Sequence, residues 1–308
     1  MLYTATHWRI YLDIDELEKW KEAGKLAHDA LHFGKKLIEE GKSMLEITEK
    51  IESYVYDNGG KLAFPTNLAI NNVGAHWTPS TKTTEKFQKG DLVKLDVGVH
   101  IDGYIGDNAL TVEVGTEKYG KLIDTSREAL NAAIEVAGPG INVGMIGYAV
   151  QTTIENRGYK PIANLTGHGI KRYNLHSGIS VPNVKENGGA VLKPGDIIAI
   201  EPFVTDGAGR VGGKRNSNIY HVRQVRNIKD EKAAEMIDEI QHRYKGLPFA
   251  ERWLHGIQTN DAANSLTKLM RAGIISYYPV LDELGKGMVA QSEHTVLITN
   301  SGSEVLTN

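Results

Sequence analysis

Four carboxylates stand in stretches where carboxylates are costly. Asp96 lies between Leu95 and Val97. Glu201 lies between Ile200 and Pro202, after Ile197-Ile198-Ala199. Glu293 directly precedes His294-Thr295-Val296-Leu297-Ile298, and Asp107 lies on the segment that returns after Asp96. An ionised acid in apolar surroundings is strongly disfavoured unless something compensates it. Four of them call for a shared partner, and a pair of divalent cations is the simplest. A nitrogen ligand is expected beside them. Gly167-His168-Gly169 offers His168 between two residues that permit close approach. Leu175-His176-Ser177 and Ala75-His76-Trp77 offer His176 and His76. The chain has 11 His and no Cys, which removes thiol nucleophiles, disulfides and Cys-ligated zinc. Any metal must rest on His and carboxylates, a donor set that accepts Co, Mn, Fe or Zn.

The elements that must position these groups are legible as patterns. Leu92 to Val99 reads as a strand, His100-Ile101-Asp102-Gly103 as a turn and Tyr104 to Val114 as the returning strand. With the turn centred between Ile101 and Asp102, Asp96 and Asp107 would be direct cross-strand partners, Cβ atoms roughly 4.5–5.5 Å apart. Ile197 to Val204 and Val289 to Thr299 read as further apolar strands. Gly90-Asp91-Leu92-Val93-Lys94-Leu95-Asp96 matches Gly195-Asp196-Ile197-Ile198-Ala199-Ile200-Glu201. Each is a Gly-Asp turn, then an apolar strand, then a carboxylate at the same step, which implies two related halves that each deliver one acid.

Helices alternate with these strands. Leu17, Trp20, Ala23, Ala27, Ala30, Leu31 and Leu37 fall at helical spacing between Asp15 and Glu40, with a stop near Gly41. Ser43 and Glu46 form a capping-box pair for a helix that Gly59-Gly60 ends. Further helices are expected over Tyr119 to Ala137 and Val143 to Gly158. Residues 208–275 differ in character: twelve basic against seven acidic residues, an opening rich in Gly, Lys, Arg and Asn, and helical periodicity over Asp230 to Tyr244 and Asp261 to Arg271. We read them as an inserted helical subdomain with a solvated charged face, interrupting a catalytic domain formed by 1–207 and 276–308.

The whole chain has 308 residues, 35 Lys+Arg against 38 Asp+Glu and a net charge of −3. That balance exerts no global pull toward DNA or an anionic membrane. Met1 to Asp15 has no apolar signal core, and no apolar run reaches the roughly 20 residues of a bilayer span. A cytoplasmic protein is expected.

Phe64-Pro65-Thr66-Asn67-Leu68-Ala69-Ile70-Asn71, Lys94-Leu95-Asp96-Val97-Gly98, Gly106-Asp107, Gly167-His168-Gly169, Ile200-Glu201-Pro202-Phe203 and Gln291-Ser292-Glu293-His294-Thr295 together resemble methionine aminopeptidase. They run in family order along most of the chain. The stretch after Glu201 and Leu175-His176-Ser177-Gly178 resemble the type 2 form, in its archaeal version without a charged N-terminal extension. The resemblance implies an α+β pita-bread fold, two pseudo-symmetric halves around a central antiparallel sheet, with a winged-helix-like insert. It implies a dinuclear centre on Asp96, Asp107, His168, Glu201 and Glu293, with two divalent ions. It implies removal of N-terminal methionine from peptides and nascent chains with a small second residue, by metal-activated water with Glu201 as general base. His76 and His176 match the residues that contact the substrate, and Phe64 and Tyr278 those near the methionine side chain. It further implies a monomer, with the ribosome as a partner. Ser292 departs from the pattern, in which an aromatic often precedes the last glutamate. Alternation along a strand turns it away from the metals. Proline-specific peptidases of the same fold would require a sizeable N-terminal domain before Leu62. A metal-free binding module, with Gly212-Gly213-Lys214-Arg215 as its basic loop, would have lost ligands.

Overall fold

The computed structural model describes residues 13–256 and 262–308. The segment read as lacking a signal core therefore lies largely outside the described residues, as does Asp261, expected to open the last helix. Helix α1, Ile14–Leu37, buries Trp20, Ala23, Ala27, Ala30 and Leu31. It ends where Ile38 turns extended, earlier than the glycine stop at Gly41. Helix α2, Met44–Asp57, is capped by Ser43, whose Oγ accepts from the Glu46 N–H at 3.3 Å. Both helices pack on the hairpin of Leu92–Ile101 and Tyr104–Glu113, sharing a core with Val93, Leu95, Val97 and Val99.

The hairpin corrects the expected register. Ile101 pairs with Tyr104, so the turn is the two residues Asp102-Gly103, both at positive φ (48° and 91°). Asp-Gly suits a two-residue turn with φ > 0 at both positions. Asp96 consequently faces Ala109, and Asp107 faces Gly98. The two carboxylates are diagonal neighbours on one face and not direct partners.

The second half repeats the first. Ile197–Ile200 pairs with His294–Ile298 on one side and with the Thr166–Ile170 strand on the other. Helices α3, Gly120–Val136, and α4, Val143–Asn156, cover this half with a core that includes Leu122, Ala129, Ile146, Val150, Ile198 and Val296. The matching Gly-Asp turns are built alike. Gly90 and Gly195 both have φ near +90°, and Asp91 and Asp196 each accept from the N–H three residues back, Gln88 at 2.8 Å and Lys193 at 2.7 Å. Gly90 N–H donates to Val114 O and Gly195 N–H to Ile298 O, at 2.7 and 2.8 Å.

The two long apolar runs each break at their acid. Ile197–Ile200 stops before Glu201-Pro202 and resumes as Phe203–Thr205. Val289–Gln291 stops before Ser292-Glu293 and resumes as His294–Ile298. Pro202 has no N–H for the ladder, so Glu201 leaves the sheet where its side chain can turn into a pocket.

The stretch after the Phe203–Thr205 strand carries a small sheet as well as helices. Asn216–Val222 pairs with Phe249–Ala250 and Ile275–Pro279. Helices α5, Glu231–Tyr244, and α6, Ala262–Arg271, pack on it around Tyr220, Met236, Ile240, Phe249, Leu266 and Leu269, a core of its own. Among the described residues no helix is long and apolar enough to cross a membrane.

Close backbone approach sets one prediction. A Cβ on Gly167 would stand 2.2 Å from the Ala199 carbonyl oxygen. Gly167→Ala must force the Thr166–Ile170 and Ile197–Ile200 strands apart, and overpacking of this kind costs about 1–3 kcal/mol. A urea titration should show the unfolding free energy reduced by that amount, seen as a lower midpoint. An unchanged midpoint would contradict the packing described.

Candidate metal centre

The two halves meet at the carboxylates. Glu293 and Ala109 form a backbone bridge between the last strand pair and the first hairpin, with Glu293 N–H to Ala109 O at 3.0 Å and Ala109 N–H to Glu293 O at 3.4 Å. One step along, the Thr295 hydroxyl accepts from the Asp107 N–H and donates to the Asp107 carbonyl, both at 2.8 Å. These cross-links fix Asp107 and Glu293 relative to each other through the backbone, before any side chain is considered.

Asp96, Asp107, His168, Glu201 and Glu293 all line one pocket, together with His76, His176, Phe64 and Tyr278. Every residue read from the sequence as a metal ligand, base or substrate contact thus lines this one pocket. His168 Nε2 lies 3.5 Å from Asp107 Oδ2 and 3.7 Å from Glu201 Oε1. Its Nδ1 is 3.4 Å from the Gly169 carbonyl. A proton held there by that carbonyl leaves the Nε2 lone pair facing the acids. Asn183 Nδ2 donates to the Glu201 carbonyl at 3.2 Å and Gln291 Nε2 to Glu293 Oε2 at 3.2 Å, steadying two of the four acids.

The electrostatics of the bare cluster are unfavourable in a specific way. Burial pushes the Asp107 carboxyl up to about 8. Burial first, then neighbouring carboxylates, hold Asp96, Glu201 and Glu293 well above the usual carboxylate range. Burial lowers His168 to about 4 and His76 to about 4. Burial, with His168 adding to it, lowers His176 to about 3. All three imidazoles are therefore neutral near pH 7, the form in which an imidazole can ligate a metal.

The residues fit divalent cations. Asp107, His168 and Glu293 each offer a donor atom within 4.8 Å of the others. Asp96 Oδ1 and Asp107 Oδ1 are buried with no hydrogen-bond partner, and buried polar atoms without a partner call for an explanation such as an ion. Positive charge in their midst supplies what the protein withholds.

The apolar wall was only partly foreseen. Leu175, Ile219 and Pro248 line the pocket beside Phe64 and Tyr278, and Asn67 lines it as a polar member. Leu175 belongs to a stretch already singled out for its histidine. Ile219 and Pro248 come from the small sheet region far along the chain, and no local pattern marks them. Tyr278 stacks obliquely on His221 at 4.9 Å and meets His76 edge-on at 5.2 Å, ring to ring. Ser292 does face away: its Oγ is 2.7 Å from Ser126 Oγ on α3, and it does not line the pocket.

Two matched halves delivering buried carboxylates and an imidazole to one open pocket define a metalloenzyme. The chain belongs to metallopeptidase family M24, whose profile matches residues 18–300. It is 43% identical to the methionine aminopeptidase of Methanocaldococcus jannaschii over 296 residues, covering 96% of this chain and all of that protein. The crystal structure of methionine aminopeptidase from Thermotoga maritima superposes with a TM-score of 0.71 at 28% identity, covering 97% of this chain and 99% of that one. A prolidase from Pyrococcus furiosus shares the fold, with a TM-score of 0.63 at 23% identity, but only 66% of its chain is covered. The architecture is the pita-bread fold of these enzymes, and the protein is a hydrolase dependent on divalent metal.

The raised carboxyl pKa values have a signed consequence. Where a folded acid titrates above its unfolded value, the folded form is favoured at low pH and loses stability as pH rises through the window between the two. For Asp107 that window runs from 3.8 to about 8. Cations compete with the same protons, so their binding strengthens as pH rises. Added Mn(II) should raise the Tm of chelator-treated protein, and by more at pH 8 than at pH 6. An equal rise at both, or none, would count against the site.

Proposed function

We propose that the protein removes the N-terminal methionine from peptides and nascent chains, with preference for a small second residue. The observation that carries this reading is the pocket itself: a carboxylate-imidazole floor against an apolar and aromatic wall. The similarity to curated methionine aminopeptidases along the whole of their length supports it. Bound divalent ions supply Lewis acidity and an acidified water, and Asp96, Asp107, His168, Glu201 and Glu293 would hold them.

The chain's own groups do the rest. Glu201 takes a proton from the attacking water and returns it to the leaving amine. Its place among the acids beside His168, with Oε1 3.7 Å from His168 Nε2, puts it where the attacking water would sit. His176, neutral and beside His168 with ring centroids 4.4 Å apart, donates to the developing oxyanion. His76 Nδ1 is buried without a protein partner, which leaves hydrogen-bonding capacity for the scissile amide. Phe64, Leu175, Ile219, Pro248 and Tyr278 enclose the thioether, a polarizable group that packs well on aromatic rings.

We further propose that residues 208–275 form an inserted subdomain in a catalytic domain of 1–207 and 276–308. The insert's separate core and its two pocket residues, Ile219 and Pro248, support this. Its closing strand, Ile275–Pro279, runs past that boundary and carries Tyr278 into the pocket. The protein would work as a cytoplasmic monomer, with access to nascent chains at the ribosome.

Methionine release from Met-Ala-Ser, with Met-Lys and Ala-Pro peptides as controls, tests the reading. Release should require metal and be confined to the first peptide. Glu201→Gln should lower kcat by at least about 100-fold, and His176→Ala by about 100- to 1,000-fold. Cleavage of Ala-Pro would overturn the specificity. No release with Mn, Fe, Co or Zn would overturn the activity.

A further inference from the structure

We infer that the buried ion pair between Glu52 and Arg252 is a positioning device for His76, an inference that rests on the proposed reaction. The two residues are 200 positions apart, one on α2 and one in the 3-10 helix Glu251–Gly256, and both are buried. Their guanidinium–carboxylate contact is one arm of a wider clamp. The Glu52 carboxylate also accepts from the Thr66 N–H at 3.2 Å and from Trp253 Nε1 at 2.8 Å. Arg252 Nη1 donates to Thr78 Oγ1 at 2.9 Å and to the Pro79 carbonyl at 2.8 Å. Thr78 Oγ1 in turn donates to the Thr66 carbonyl at 2.7 Å. The chain segments 64–67 and 76–79 are thereby tied to each other and to the small sheet region, where Thr78 N–H donates to Ser217 O at 3.1 Å and Asn218 Nδ2 to Thr78 O at 2.8 Å.

Those two segments are pocket wall. Phe64 and Asn67 come from the first and His76 from the second. His76 has φ of 60°, a left-handed conformation that a residue with a Cβ keeps only where its surroundings impose it. On its N-terminal side the Val73–Ala75 strand is held by Leu281–Glu283. On its C-terminal side Leu68 N–H holds the Trp77 carbonyl at 2.9 Å, and Thr78 is held through its backbone by Ser217 and Asn218 and through its hydroxyl by Arg252 and the Thr66 carbonyl. The pair touches neither the acids nor the pocket. Its effect on the chemistry passes through where it sets the His76 imidazole.

The test is a double-mutant cycle on the metal-loaded enzyme with Met-Ala-Ser. Arg252→Lys keeps the charge and loses the two-pronged contact. Thr78→Val keeps the shape and loses the hydroxyl hub. Each should lower kcat by about tenfold or more, as a small misplacement of a catalytic group does, with KM within about twofold. In a His76→Ala background either change should cost less than about twofold, because residues acting through one another are not additive. Equal losses in both backgrounds, or full kcat in either folded variant, would overturn the inference. If Arg252→Lys fails to fold, Thr78→Val decides. If wild-type enzyme releases no methionine, the activity reading fails on its own. The positioning claim is then judged by the His76 imidazole NMR signal, which must shift in Thr78→Val and would refute the claim by staying put.

Discussion

Desolvation of four carboxylates gathered in one pocket, with repulsion between neighbours added to it, is the constraint on which the rest of this structure depends. Asp96, Asp107, Glu201 and Glu293 stand around one imidazole in a setting that raises the pKa of every one of them. Folding that brings them together without a compensating charge works against itself, because desolvation and like-charge repulsion act in the same direction. The cluster therefore acts as a latent cation site. The stability it withholds in the bare protein returns as metal affinity, and the same proximity lets one glutamate serve as a base.

The scaffold is built to hold that cluster still. Asp107 and Glu293 are set by backbone pairing and by one threonine hydroxyl spanning the two halves. Glu201 is released from its strand by the proline that follows it. Matching Gly-Asp turns start the strand that carries Asp96 and the strand that Glu201 directly follows, so one local solution is used twice. Each half covers the outer face of its strands with a helix pair, α1 and α2 on one side and α3 and α4 on the other. The apolar layers exclude water from the sheet while the acids gather at its open end.

Much of this was legible because it is local. The isolated acids in apolar runs, the Gly-His-Gly step, the capping pair at Ser43 and Glu46, and the repeated Gly-Asp turn are short patterns with one physical reading each. The hairpin register differs from the expected one by a single residue at its turn centre, because Asp102-Gly103 forms the whole turn and is not the end of a longer one. The strand breaks were also missed. Pro202 announced one, whereas the break at Ser292 follows from Glu293 pairing with Ala109 across the molecule, which no neighbouring residue signals. The small sheet around Asn216–Val222 was hidden by its polar start, although Ile219-Tyr220-His221-Val222 carries a strand pattern. The pocket residues Ile219 and Pro248 and the Glu52–Arg252 pair depend on contacts between distant segments, and sequence patterns hold no record of them.

Proton release on metal binding tests the central claim most directly. Calorimetric titration of metal-free protein with Mn(II) at pH 7, in two buffers of different ionisation enthalpy, yields the number of protons released. With Asp107 titrating at about 8 and the other three acids also raised, the cluster holds protons at pH 7 that cations must displace. The account predicts release of at least about one proton per protein, falling as pH is raised toward 9. Binding without proton release at pH 7 would mean that the carboxylates are already ionised in the bare protein, and would contradict it.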